Sequence, residues 1–164
     1  MPIRLLIAVL GLTLAGASAA QAGPKAAIFP FELIDVSLSG EYLGPKADEA
    51  QRLVLATEEL RRLAARDAGY DVLDLSGLKS DIERTGPFHR CDGCEADIAR
   101  RAGAEIALTG TVRKISELVL VVHIYVRDVA TGKVTDVHRV ELRGNSDETW
   151  LRGVRRLVAY HLGR

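Results

Sequence analysis

Cys91 and Cys94 are separated only by Asp92 and Gly93, and His89 stands just ahead of them. A Cys-x-x-Cys pair before a helix supports three chemistries. The first is a short structural disulfide, which an exported chain forms in an oxidising compartment. The second is thiol–disulfide exchange, because a helix N-terminus favours the thiolate. The third is a metal site built from His89, Cys91 and Cys94, with Asp92 or Asp97 adding oxygen. The disulfide leads. The motif follows a loop, where a thioredoxin-like unit would have a strand. Asp92 and Glu95 put negative charge beside the thiols, which disfavours thiolates. A single Cys-x-x-Cys is half of a usual structural zinc site. The residue after the second cysteine is Glu95 instead of His, which excludes the haem-attachment pattern. No cofactor or metal is expected.

A second group of polar side chains lies between Glu32 and Pro45: Glu32, Asp35, Glu41 and Tyr42. This connection is long, and long connections in compact domains are often functional. If the strand before it is parallel, the connection leaves the carboxyl end, where open α/β sheets bind ligands. The four residues are therefore candidate ligand or partner contacts, set against the plainer reading of a solvated loop. His123 and His138 fall on neighbouring strands and are expected to share a face, as packing or surface residues. There is no Gly-x-Ser-x-Gly, no phosphate-cradling glycine loop and no His-Glu-x-x-His. No catalytic residue is assigned, and the chain is expected not to be an enzyme.

The elements that must position these groups follow from periodicity. Ala26 to Phe31 is a short apolar run, read as a strand buried on both faces; Pro30 removes one ladder donor within it. Asp48 to Ala65 repeats Leu53, Ala56, Leu60 and Leu63 at helical spacing. Tyr70 to Leu75 reads as a second strand, Ser76 to Arg84 as a short helix, and Glu95 to Ala102 as another. Glu105 to Lys114, Leu118 to Val129 and Val134 to Arg143 are three strands joined by tight turns, an antiparallel meander. Setting Val129 opposite Val134 pairs Arg127 with Asp136, Tyr125 with His138 and His123 with Val140. Asn145 or Ser146 caps a last helix, with Glu148 placed as in a capping box after Asn145. Trp150, Val154, Leu157 and Val158 form its apolar stripe.

The chain's 164 residues suit one domain. Arg4, the apolar run Leu5 to Ala15 and Ala20-Gln21-Ala22 form a Sec-type signal pattern, so residues 1–22 are read as a cleaved signal peptide and 23–164 as the mature domain. That run is too short to span a bilayer core of ~30 Å, and no membrane span is expected after cleavage. The chain carries 22 basic and 22 acidic residues. Such balance excludes a dedicated nucleic-acid binder, which needs a basic stripe.

The order of elements resembles the amino-terminal α/β domain of TolB and the similar domains of curli-secretion and penicillin-binding-protein-activator lipoproteins. The residues that carry the likeness are Ile28-Phe29-Pro30-Phe31, Asp97 to Ala104, Leu108-Thr109-Gly110-Thr111-Val112 and the Tyr125 to Lys133 hairpin. From Phe29-Pro30-Phe31-Glu32-Leu33-Ile34-Asp35 through the CxGC pair to Gly144-Asn145-Ser146-Asp147-Glu148-Thr149-Trp150, the chain is similar to an uncharacterised family of small secreted proteobacterial proteins. The resemblance implies a periplasmic, non-enzymatic protein that binds another envelope protein, with a link to periplasmic quinoprotein oxidation systems. The alternative is a thiol-disulfide or metal-handling protein using the Cys91–Cys94 motif. The fold expected is α/β (α+β): a mixed sheet of about five strands, a C-terminal antiparallel meander, and helices mainly on one face. Val119, Val121 and Tyr125 then leave a second apolar row on the other face for a partner.

Overall fold

The central strand is β4 (Ile106–Lys114), and its nine residues are long enough to pair with three neighbours. A computed structural model describes residues 23–162; the expected signal peptide lies outside them. β4 runs parallel to β1 (Lys25–Ile28) and to β2 (Glu32–Asp35), and antiparallel to β5 (Val119–Asp128). β6 (Val134–Arg143) continues the meander, and the two-residue β3 (Asp71–Val72) flanks β1, giving the order β3-β1-β4-β5-β6 with β2 also on β4. The helices are α1 (Leu38–Leu43), α2 (Ala47–Arg66), α3 (Lys79–Thr85), α4 (Cys94–Arg101) and α5 (Asp147–Leu157). The mixed α/β sheet is as expected, with six strands.

The sixth strand is β2, and it corrects the reading of residues 32–45 as a loop. β1 and β2 are two parts of one path along β4. Ile28 lies opposite Leu108 and Glu32 opposite Thr111, so one extra residue is accommodated around Pro30. Pro30 lacks the N–H that an unbroken ladder needs, and the Phe31 N–H turns away to Thr57 Oγ1 of α2 at 2.9 Å. The ring of Phe31 takes the space that a Cβ at Gly110 would occupy, so the break fits only because β4 carries glycine there.

Alternation along the strands sorts two cores. On one face Ile28, Leu108, Val112, Leu120, Val122 and Ile124 meet Leu60 of α2 and Trp150 and Leu157 of α5. On the other, Ala27, Phe29 and Ala107 meet Phe88, Ile98 and Ala99 from the α3–α4 region. The two longest helices thus cover one face, and the short ones cover only the β1 end of the other. Each of the valine, leucine, isoleucine and phenylalanine side chains among these contributes about 1.5–3 kcal/mol relative to exposure.

The β5–β6 register differs from expectation by one residue. Val126 lies opposite Asp136, Ile124 opposite His138, and Val122 opposite Val140, with a bulge that sets Arg127 opposite Val134. The cause is Val129. It is buried in the second core, and its N–H donates to the Glu105 carbonyl, so it leaves the hairpin ladder. A one-residue slip changes every cross-strand pairing. His138 therefore faces the helices, stacked on His161 at 4.9 Å, and shares no face with His123, which stacks on Tyr125 at 5.9 Å. Ser146 is the N-cap of α5, accepting from the Thr149 N–H at 3.3 Å. Asn145 is thereby released for another role, and the expected Asn145–Glu148 capping box does not form.

Candidate partner-binding site

Three of the four residues singled out between Glu32 and Pro45 line one open groove of about 800 Å³: Glu32, Asp35 and Glu41. Tyr42 stands beside it, 78% exposed. Leu33 and Val36 of the β2 segment, Ala50 and Leu53 of α2, and Pro87 and His89 complete the walls. Glu32 is fully engaged. It accepts from the Phe88 N–H at 2.6 Å and the His89 N–H at 2.9 Å, and lies 2.7 Å from His89 Nδ1. It ties the segment before the cysteines to β2. Asp35 accepts from the Ser37 N–H and hydroxyl. Burial raises its pKa, but those bonds and Lys114 outweigh it and hold the carboxyl below its ordinary value.

α1 is the unusual element. None of its residues is buried, yet Leu38, Tyr42 and Leu43 are apolar and 72–78% exposed. Its six residues are too few to be stable on their own. Ser37 holds its N-terminus by accepting from the Gly40 N–H at 3.1 Å, and Ser39 bonds Glu117 at 2.8 Å.

A buried charge cluster fixes the floor under α1. Lys114 is fully buried, and its ammonium lies 2.6 Å from Glu49, 2.8 Å from Glu117 and 3.3 Å from Asp35. Burial pulls its pKa down, but the hydrogen bonds it donates to Glu117, Glu49 and Asp35 outweigh this and hold it above its ordinary value. The same lysine, then Lys46, Asn145 and Ser39, hold Glu117 well below the usual carboxylate range. Asn145 donates to Glu49 at 2.7 Å and to Glu117 at 3.1 Å, and accepts from the Trp150 indole N–H at 2.9 Å. The cluster joins β2, α2, the β4–β5 turn and the start of α5. Sequence reasoning missed it. Two signals were present: Lys114 continues the inward row Leu108, Val112, and Glu49 stands four residues before Leu53 on the buried stripe of α2.

Cys91 and Cys94 form a disulfide, their Cα atoms 5.9 Å apart. Potential ligand atoms of Cys91, Cys94 and Glu95 lie within 4.8 Å of one another. The sulfurs, however, are bonded to each other, and Glu95 accepts from Arg127 Nε at 2.7 Å. His89 is turned to Glu32 and is not among the three. The disulfide loop forms one wall of a cleft of about 300 Å³ over the second sheet face, floored by Thr109, Thr111 and Tyr125. Gly93 adopts φ 88°, a left-handed conformation that glycine tolerates, and the Arg127 guanidinium packs 3.1 Å from where its Cβ would be.

An open, mixed-sheet α/β domain with this order of elements is found in other solved proteins. The LpoB C-terminal domain from Escherichia coli matches at TM-score 0.54 and 17% identity, over 78% of this chain and 88% of that one. PelC from Paraburkholderia phytofirmans, solved as a dodecamer, matches at 0.54 and 15%, over 87% and 90%. Lipoprotein GNA1162 from Neisseria meningitidis matches at 0.50 and 14%, over 85% and 99%. At these identities the likeness concerns the fold. A search of curated protein sequences finds no match. The chain belongs to the family described as protein of unknown function DUF2380, whose model matches residues 24–162.

Proposed function

We propose that this chain is an exported, non-enzymatic accessory protein that docks onto another protein of the bacterial envelope through α1 and the groove beside it. The observation that carries the reading is α1 itself: an apolar element that buries nothing in its own fold, held in place by Ser37, Ser39 and the Lys114 cluster. Side chains that contribute nothing to the core but are kept ordered suit an interface. Residues 1–22 support export to the periplasm, and among the described residues no helix is long and apolar enough to cross a membrane. The association with quinoprotein oxidation stays a proposal of partner class and rests on the sequence resemblance alone.

The test is site-directed photocrosslinking in the producing cell. A benzophenone side chain placed at Tyr42 is expected to give one discrete adduct with an envelope protein, and one at exposed Lys79 of α3, which does not line the groove, none. A Tyr42 probe that yields only the pattern seen at Lys79 rejects the reading.

A further inference from the structure

We infer that the groove beside β2 is the vacant position of a strand, filled by an extended, basic and apolar segment of the partner that adds to the sheet through its backbone. The inference rests on the docking reading above and specifies its mode.

The sheet is incomplete along this edge. β3 covers β1 only at Lys25 and Ala26. After the Leu73 N–H has bonded the Ala26 carbonyl, the chain turns away into the Ser76–Leu78 turn. Among the described residues nothing pairs with the outer edge of β2. The phase of that edge is known. The Val36 N–H donates to the Lys114 carbonyl at 3.0 Å, so in a parallel ladder the even residues of β2 bond β4 and the backbone groups of Leu33 and Asp35 point outward. Outside the strand ladders, no hydrogen bond among the described residues takes up those two N–H groups. Open edges are normally blunted by charge, proline or a covering element. The opposite edge follows this rule, because β6 carries Asp136, His138, Arg139, Glu141 and Arg143. The β2 edge opens instead into the groove, with Ala50 and Leu53 on one side and Pro87 and His89 on the other. Four residues of strand need ~13 Å at ~3.3 Å each.

Charge selects the occupant. Glu32, Asp35 and Glu41 line the groove against Lys46. Lys46 is committed to Glu117 and Asp35 to Lys114, while Glu41 has no ion-pair partner among the described residues. A second copy of this edge would set acid against acid. A segment alternating basic and apolar residues would satisfy Glu41, Leu33 and Leu53 together.

The probe is the synthetic peptide acetyl-Lys-Val-Lys-Val-Lys-amide, titrated into the purified protein and followed by amide chemical shifts and calorimetry. Binding is expected to move the amide signals of Leu33 and Asp35. N-methylation of both valines is expected to weaken it at least about tenfold. Glu41→Lys is expected to weaken it several-fold, and Ala50→Trp, at an exposed helix position in the groove wall, to abolish it. Equal binding of the N-methylated peptide, shifts confined to other surfaces, or no binding at millimolar peptide each overturns strand addition. If the peptide fails while the Tyr42 crosslink persists, strand addition is wrong and docking through α1 stands. If the peptide binds through Leu33 and Asp35 without any Tyr42 adduct, strand addition stands and the α1 reading falls.

Discussion

Replacing Lys114 by Met tests whether the buried cluster holds the candidate site together. The side chain is 1% exposed and is surrounded by Glu49, Glu117 and Asp35, of which Glu49 is equally buried. Methionine fills a similar volume, so the main loss is charge. A pair of unit charges ~4 Å apart is worth about 4 kcal/mol at an effective dielectric of 20, and removing one partner of a buried pair costs about 3–5 kcal/mol. Glu117 keeps Lys46 and water, so the cost centres on Glu49, and the lower half of that range is expected. For a domain of this size each kcal/mol moves Tm by about 2–4 °C, so thermal unfolding should occur roughly 6–16 °C lower. The double variant Lys114→Met with Glu49→Leu removes both buried charges and is expected to recover at least about 1.5 kcal/mol relative to additivity. Urea unfolding of the four proteins measures this. Additive single effects, or a Lys114→Met loss below about 1 kcal/mol, would refute the cluster as the organiser of the groove floor. Acid titration gives an independent check. Asp35 and Glu117 have folded pKa values below their unfolded ones, so their contribution is complete above about pH 4.5 and is lost as pH falls through the folded values. That slope should flatten in Lys114→Met.

Replacing both cysteines by Ser opens a loop with a sequence separation of 3, which costs about 2 kcal/mol by chain entropy; circular dichroism should show the fold retained. Electron or metal transfer lost with the fold intact would instead favour the thiol or metal reading. Gly110→Ala drives a Cβ into Phe31 and should cost about 1–3 kcal/mol in urea unfolding; an unchanged midpoint would show that the Pro30 break is not braced there. Burial, then Arg139 and Arg113, lowers the pKa of His123; burial, then His161, lowers that of His138. The folded values lie below the unfolded ones, so stability is full above about pH 6.5 and declines as pH falls through the folded values. The double variant His123→Gln with His138→Gln should remove that decline from a Tm-versus-pH curve.

The meander was legible because three alternating runs with short turns leave few arrangements, and β6 was found over the residues expected. α2 was legible from Leu53, Ala56, Leu60 and Leu63, whose spacing needs no tertiary context. β2 was not, because Glu32-Leu33-Ile34-Asp35 follows a proline and looks terminal; only the surplus length of β4 reveals that a second segment must pair with it. The hairpin register failed because Val129 has a better place in the distant core than in its own turn. The charge cluster was invisible as a constellation, since Lys114 and Glu49 are 65 positions apart, although each stands out as a charge on an apolar row. Of the proposed contacts, Glu32, Asp35 and Glu41 come together at one groove. Tyr42 joins the exposed face beside it.

The parallel pairing of β1 with β4 also orders events in time. Ala26 meets Ile106 across 80 positions, and closing such a loop costs about 4 kcal/mol before any contact repays it. β4, β5, β6 and α5 are contiguous in the chain and need no such closure. The C-terminal half should therefore assemble first and serve as the template onto which the N-terminal strands, and with them the groove, are added last. Pulse-labelled hydrogen exchange should find amides of β5 protected before those of β1; the reverse order would contradict this sequence of events.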